Sequence, residues 1–422
     1  MSPTTLPPVP PGPPGEPPAP PAPPGAAPKI RAVVVEDSAY NRRVITGILE
    51  SSGEVEVVGK ASDGEAGLQQ VLSLRPDIIC LDLEMPRMDG FTFLRILMSR
   101  QPTPVIVVSS QAQKANVFKA LEFGALDFVA KPSPAISSEL LKIRDELLSK
   151  VALVRSLKMA PLKERAAARS LRGDSIPMPV LRAPAVPGAP PSQSGSGAVV
   201  VGGVAGGAAP VQGGSGAFAV VAPAPEGPAP TPEELVLLAI GASTGGPPAI
   251  QQILQGIEIG FAGAILVTQH MPERFTRAFA QRLDRLLGHA VYEAEDGMVV
   301  RQGGVYVSPG DASMGVHREG AAAVLRLSRA ERRYVPSIDY MLNTAALLFG
   351  RRLMAAILTG MGTDGTEGVA AVRRAGGRVV AESRETAVVY GMPGAAVESG
   401  QVEQILPLGR LVETARTFLH RR

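Results

Sequence analysis

The sequence predicts an α/β protein built from two doubly wound parallel-sheet domains joined by a long disordered linker. Three observations carry this. In two separate regions, short apolar runs alternate with helical stretches, the pattern of βαβ units and of a parallel sheet covered on both faces. Pro and Gly, 40 and 46 of 422 residues, are unevenly spread: Pro fills 14 of the first 28 positions. Residues 161–232 hold 13 Pro and 12 Gly in 72 positions, above the roughly 25–30% that marks a low-complexity segment. The organisation expected is a Pro-rich disordered arm over 1–28, a globular unit over 29–158, a Pro/Gly/Ala-rich linker over 159–232 and a second unit over 233–422. Each unit is long enough to bury its own core.

In the first unit, Ile30–Val35 reads as a buried strand and Asn41–Ser51 as a helix. Strand Val55–Gly59, helix Glu65–Leu74, strand Ile78–Leu81 and a helix from Phe91 follow. Strand Val105–Val108, helix Ala115–Phe123, strand Asp127–Ala130 and a closing helix Ser137–Lys158 complete five βα units. The second unit is Rossmann-like. Its strands are expected at Leu235–Ile240, Ala264–Thr268, Leu353–Leu358, Arg378–Ala381 and Gln404–Pro407, with a small β insert that includes Val305–Val307 and Ala323–Leu327. Its helices are expected at Pro247–Leu254, Pro272–Leu287, Ser337–Phe349, Thr366–Ala375 and Gly409–Leu419.

Charge and cysteine content narrow the function. Lys+Arg (42) nearly balances Asp+Glu (39), which disfavours nucleic acid as a partner. The single Cys80 cannot build a disulfide framework. No signal peptide or bilayer-length apolar run is visible, so the expected location is cytoplasmic, without membrane insertion.

Ligands of doubly wound sheets sit at the carboxyl ends of the strands. In the first unit those ends carry Glu36-Asp37, Asp82, Ser109-Ser110 and Lys131-Pro132. Three carboxylates on one edge repel unless a cation lies among them, and carboxylate plus carbonyl oxygen suits Mg²⁺. Lys and Ser beside that cation can hold phosphoryl oxygens, which makes Asp82 a phosphoryl acceptor. Residues 30–133 resemble the receiver domain of bacterial response regulators, on Glu36-Asp37-Ser38, Leu81 to Gly90, Ser109 and Lys131-Pro132. The resemblance implies phosphorylation of Asp82 by a histidine kinase. It also implies Mg²⁺ held by Asp37, Asp82 and the backbone carbonyl of Glu84, with Glu36 acting through water, and phosphoryl contacts from Ser109 and Lys131. A Glu at 36, where Asp is commoner, lengthens that outer contact by a methylene.

In the second unit, Leu238 to Pro247 reads as strand, Gly-rich turn and helix start, exposing the Ser243 hydroxyl beside helix-start amides. Of the four His, His270 stands at the next strand's carboxyl edge, and Asp364 follows Leu353–Leu358. Nucleophile, base and orienting acid thus come from three strand ends. The order Ser243, His270, Asp364 differs from the Ser, acid, His order of α/β-hydrolases, although Gly241 to Gly245 matches their elbow. Gly360-Met361-Gly362-Thr363-Asp364-Gly365, with Glu382 some 20 residues on, also fits a dinucleotide fingerprint. That leaves a receiver-controlled oxidoreductase as an alternative, although Asp364 would repel a pyrophosphate. A non-enzymatic adaptor is disfavoured by the intact Ser, His and Asp.

Residues 234–422 resemble the catalytic domain of the chemotaxis protein-glutamate methylesterases. The matching segments are Ile240 to Gly246, Gln269 to Pro272, Pro336 to Asp339, Leu358 to Gly365 and Tyr390 to Pro393. The resemblance implies a hydrolase that needs no cofactor for its ester chemistry and removes methyl groups, as methanol, from glutamate γ-methyl esters on the helical signalling domains of chemoreceptors, with deamidation of receptor glutamines. Thr244 and Met361 are the expected oxyanion donors through their backbone N–H groups.

Overall fold

The carboxyl edges of two parallel sheets carry every chemistry-bearing residue singled out above. A computed structural model describes residues 28–110, 114–131, 137–157 and 230–420. The Pro-rich arm up to residue 27 and the linker up to residue 229 lie outside the described residues.

The first sheet has strands β1 (Ile30–Val35), β2 (Val55–Ala61), β3 (Ile78–Leu81), β4 (Val105–Ser109) and β5 (Asp127–Ala130), all parallel, in the order β2-β1-β3-β4-β5. Helices α1 (Ala39–Glu50), α2 (Gly64–Leu74), α3 (Gly90–Arg100), α4 (Lys114–Glu122) and α5 (Ser137–Ala152) cover both faces. Side-chain caps start three of them: Ser38 accepts from Asn41 N, Asp63 from Glu65 N and Ala66 N, and Asp89 from Thr92 N. The central strand β3 is buried along its whole length, as a strand sandwiched between two helical layers must be.

The second sheet has seven parallel strands: β6 (Val236–Ala242), β7 (Gly263–Gln269), β8 (Ala290–Glu293), β9 (Gly304–Val307), β12 (Leu353–Ile357), β13 (Arg378–Glu382) and β14 (Gln404–Leu406). Their order is β14-β13-β12-β6-β7-β9-β8. Strands β10 (Ser313–Glu319) and β11 (Ala322–Ser328) form a separate antiparallel hairpin. The small insert is therefore this hairpin, and Val305–Val307 belongs to the main sheet. Tyr306 and its neighbours are buried on both faces, which fits a sheet interior. Helices α6 (Gly246–Gln255), α7 (Glu273–Leu287), α8 (Ile338–Phe349), α9 (Thr366–Arg374), α10 (Gly391–Glu398) and α11 (Leu408–Leu419) complete the layers.

The two units share an apolar core. Phe118 of α4 stacks on Phe279 of α7 at 5.2 Å between ring centres, and Phe128 of β5 lies 4.6 Å from Phe275. Leu126 and Leu153 pack with Val388 and Val389. Arg282 Nη2 lies 2.6 Å from Glu122 Oε1, a largely desolvated ion pair between the units. No described helix is long and apolar enough to cross a membrane.

Phe93 is fully buried at the centre of the first core. Phe93→Ala is expected to lower the stability of that unit by about 3–5 kcal/mol, read as an earlier urea midpoint for its transition.

Candidate active site and phosphoacceptor site

Strand β6 ends at Ala242 and the chain turns sharply through Ser243-Thr244-Gly245 into α6. Gly245 adopts φ +79°, a left-handed conformation with a Cβ position only 3.0 Å from Val388, so any other residue would be strained there. The turn is tied at three points. Ser243 N donates to Thr359 O (3.0 Å), Gly246 N to Ser243 O (2.8 Å), and Gln269 Nε2 to both Ser243 O (2.9 Å) and His270 O (3.0 Å). A Cβ on Gly360 would lie 2.7 Å from Ser243 Cβ. The Gly360-Met361-Gly362 loop therefore stands directly against the serine.

His270 follows β7, and its backbone N–H bonds Ala242 O (3.0 Å), one residue before Ser243. Its Nε2 lies 2.8 Å from Asp364 Oδ2, which leaves Nδ1 as the nitrogen available to a serine hydroxyl. Among the described residues no hydrogen bond joins Ser243 Oγ to His270; such bonds commonly tighten only with substrate bound.

Asp364 is 1% exposed. Burial works against its charge, but His270 outweighs it, together with the Ile338 N–H (2.8 Å) and Asp339 N–H (3.0 Å). The carboxyl is held below the ordinary aspartate value. The Ser337 hydroxyl donates a further bond (3.3 Å). These donors form the N-terminus of α8, where unpaired amides and the helix dipole favour an anion. The neighbouring Asp339 goes the other way: burial first, and the Asp364 charge, push its carboxyl up to about 6. Tyr334, just upstream, lays its ring on His270 at 5.3 Å and 8°. One short segment, 334–339, thus touches both His270 and Asp364.

Thr244 is 4% exposed and its hydroxyl donates to Asp127 Oδ2 of β5 (2.6 Å), so the residue after the candidate nucleophile is bonded to the first unit. Met361 is 38% exposed. Glu382, the acid of the dinucleotide fingerprint, is fully buried and accepts from Thr359 N (2.8 Å). With Asp364 also engaged by α8, neither acid of that fingerprint faces a nucleotide-binding crevice. His289 is buried against Leu254 O (3.0 Å), His317 is exposed on the hairpin, and His420 lies near Glu258 at the surface.

In the first unit, Glu36, Asp37 and Asp82 converge with carboxylate oxygens within 4.8 Å of one another; Glu36 and Asp82 are buried and Asp37 is exposed. Lys131 Nζ lies 2.8 Å from Asp82 and 3.1 Å from Glu36. Burial, then the charge of Asp82, raises Glu36, and burial raises Asp82 against the pull of Lys131. One lysine thus leaves excess negative charge in a desolvated pocket, and a hard divalent cation such as Mg²⁺ fits that donor set. Glu84 N bonds Asp82 Oδ1 (3.4 Å), which keeps the Glu84 backbone beside the cluster. Ser109 is fully buried at the end of β4, where its carbonyl accepts from Lys131 N (2.8 Å). The structure thus gathers the predicted residues into two clusters. Sequence reasoning did not find the roles of Gln269, Tyr334 and the α8 amides, nor the Thr244–Asp127 bond.

Residues 238–415 match the family model described as CheB methylesterase, and residues 32–142 match the response regulator receiver domain. The chain is 46% identical to protein-glutamate methylesterase/protein-glutamine glutaminase 3 of Geobacter sulfurreducens, over 91% of this chain and 95% of that one. It is 40% identical to protein-glutamate methylesterase/protein-glutamine glutaminase 1 of Myxococcus xanthus, over 93% and 98%. The crystal structure of the Thermotoga maritima CheB methylesterase catalytic domain aligns at 38% identity and TM-score 0.43, covering 43% of this chain and 98% of that chain.

The raised carboxyl of Asp339 fixes the sign of a pH effect. The folded protein holds this proton more tightly than the unfolded chain does. The group's contribution is therefore most favourable below about pH 4 and is lost as pH rises through about 6. Asp339→Asn is expected to lessen the fall in urea midpoint between pH 4 and pH 7; an unchanged fall would assign the proton elsewhere.

Proposed function

The chain belongs to the CheB methylesterase family, with a response regulator receiver domain ahead of its catalytic part, and on that premise we propose a phosphorylation-regulated serine hydrolase acting on glutamate γ-methyl esters of chemoreceptors. The observation that carries the reading is the His270–Asp364 pair, anchored by α8 and set on the strand end next to Ser243. Ser243 Oγ attacks the ester carbonyl as His270 takes its proton, and Asp364 fixes the imidazole orientation and stabilises its cation. Backbone N–H groups of Thr244 and Met361 stabilise the oxyanion. The proton passes to the departing methoxy oxygen, methanol leaves, and water activated by His270 hydrolyses the acyl-enzyme to free the glutamate and Ser243. A receptor glutamine follows the same route with ammonia as the leaving group. Neither reaction calls for a cofactor. The working units are 29–158 and 233–422, joined by 159–232, and the site of action is the cytoplasm.

Control is assigned to the receiver. A histidine kinase supplies the phosphoryl group, which Asp82 accepts through its carboxylate. Asp37, Asp82 and the Glu84 carbonyl would hold Mg²⁺, with Glu36 acting through water, and the ion would supply charge neutralisation for the phosphoryl oxygens. Ser109 and Lys131 contact those oxygens. Coupling to the esterase is supported by the length of β5. One end of this four-residue strand meets Lys131, and the other carries Asp127 and Phe128, which touch Thr244 and Phe275. In the unphosphorylated state the receiver restricts access to Ser243; phosphorylation loosens the contact. A linker of this length still allows docking, because loop-closure entropy grows by only ~0.6 kcal/mol per doubling.

Ser243→Ala is expected to lower methanol release from methylated receptor membranes by about a thousandfold or more. Retained release would remove Ser243 as nucleophile. Acetyl phosphate with Mg²⁺ should raise the wild-type rate, and Asp82→Asn should erase that rise. Glu122→Ala, which strands Arg282 at the interface, should raise the rate several-fold without a phosphodonor.

A further inference from the structure

Two exposed arginines sit close to the triad. The Arg333 guanidinium lies 5.2 Å from the ring centre of Tyr334, whose ring in turn stacks on His270. The Arg384 guanidinium lies 4.3 Å from the ring centre of Tyr390. Tyr390 pairs through its backbone with Gly360, the residue that abuts Ser243. One arginine is thus reached through the base and the other through the loop beside the nucleophile, with the exposed thioether of Met361 on that same loop. Among the described residues neither arginine has a carboxylate within ion-pair distance. By contrast, Arg277, Arg326, Arg329 and Arg373 of the same unit are all paired with acids. Stacking on an aromatic face restrains a guanidinium without neutralising it, and its planar fork remains free for carboxylates.

The reaction proposed above adds a chemical reason for such a rim. Removing a methyl group or an amide from the substrate leaves a carboxylate in its place, so the segment gains one negative charge at each turnover. We propose that Arg333 and Arg384 form a docking rim for the acidic helical segment that carries the scissile glutamyl group, gripping carboxylates on either side of it. This rests on the esterase reading and specifies its substrate surface. A segment already partly processed is held more tightly than a fully esterified one, which keeps the enzyme on one receptor region through successive turnovers.

The test uses the full-length chain as Ser243→Ala, so that binding is read without turnover, in acetyl phosphate and Mg²⁺. Two fluorescein-labelled helical hairpins carry the same glutamyl γ-methyl ester, flanked either by four glutamates or by four alanines, and fluorescence anisotropy gives their affinities. The acidic hairpin is expected to bind about fivefold to tenfold more tightly at 25 mM salt, with the difference gone at 500 mM. Adding Arg333→Gln and Arg384→Gln should abolish the preference. The control pair Arg374→Gln and Arg416→Gln, on α9 and α11, should keep it. Equal binding of the two hairpins, or a preference that survives loss of Arg333 and Arg384, would overturn the proposal. Hydrolysis of p-nitrophenyl acetate by the wild-type chain, with its loss in Ser243→Ala, tests the esterase reading separately.

Discussion

The anchoring of one buried carboxylate organises the carboxyl edge of the second sheet. Asp364 has lost almost all contact with water, and an isolated charge there would be prohibitively costly. Two amides and a hydroxyl at the start of α8 compensate it, and the remaining strong partner is the imidazole of His270. The helix therefore fixes Asp364, and Asp364 fixes the imidazole of His270. The turn after β6 needs only to place a hydroxyl next to them, which Gln269 and Thr359 secure through the backbone of Ser243.

The same topological principle appears twice in the chain. A parallel sheet collects the ends of strands remote in sequence along one edge, so residues far apart become neighbours without any long loop. In the receiver this edge concentrates negative charge around Asp82. In the esterase it alternates a neutral hydroxyl, an imidazole and an anion. The two edges are joined by β5, whose four residues connect Lys131 to the interface.

Much of this was legible in the sequence. Strands such as Ile78–Leu81 and Ala264–Thr268 are recognisable because full burial demands continuous apolar runs, and the strand-end rule then picks out Asp82, Ser243, His270 and Asp364. Ala290–Glu293 was missed because this four-residue edge strand is only partly buried and has no such run. Val305–Val307 reads as a strand, but its place in the main sheet rather than in the insert is set by register against Ile265–Val267, which is a tertiary fact. Helix Gly391–Glu398, with two Gly and a Pro, carries little helical signal. Tyr334 and Asp127 escaped for a related reason: their partners, His270 and Thr244, lie 64 and 117 residues away, and a ring stack or a single hydrogen bond leaves no local pattern.

The polar contacts between the two units are unequal in what separation would do to them. Asp127 keeps a cation of its own, since Lys150 lies 3.2 Å away within the receiver, so parting from Thr244 strands no charge. Glu122 and Arg282 would simply regain water. The phenylalanines have no such recourse: Phe118, Phe128, Phe275 and Phe279 would all be bared together, two on each face. Separating the two units would therefore expose an apolar patch on each, and such a patch favours either renewed docking or cover by another protein surface.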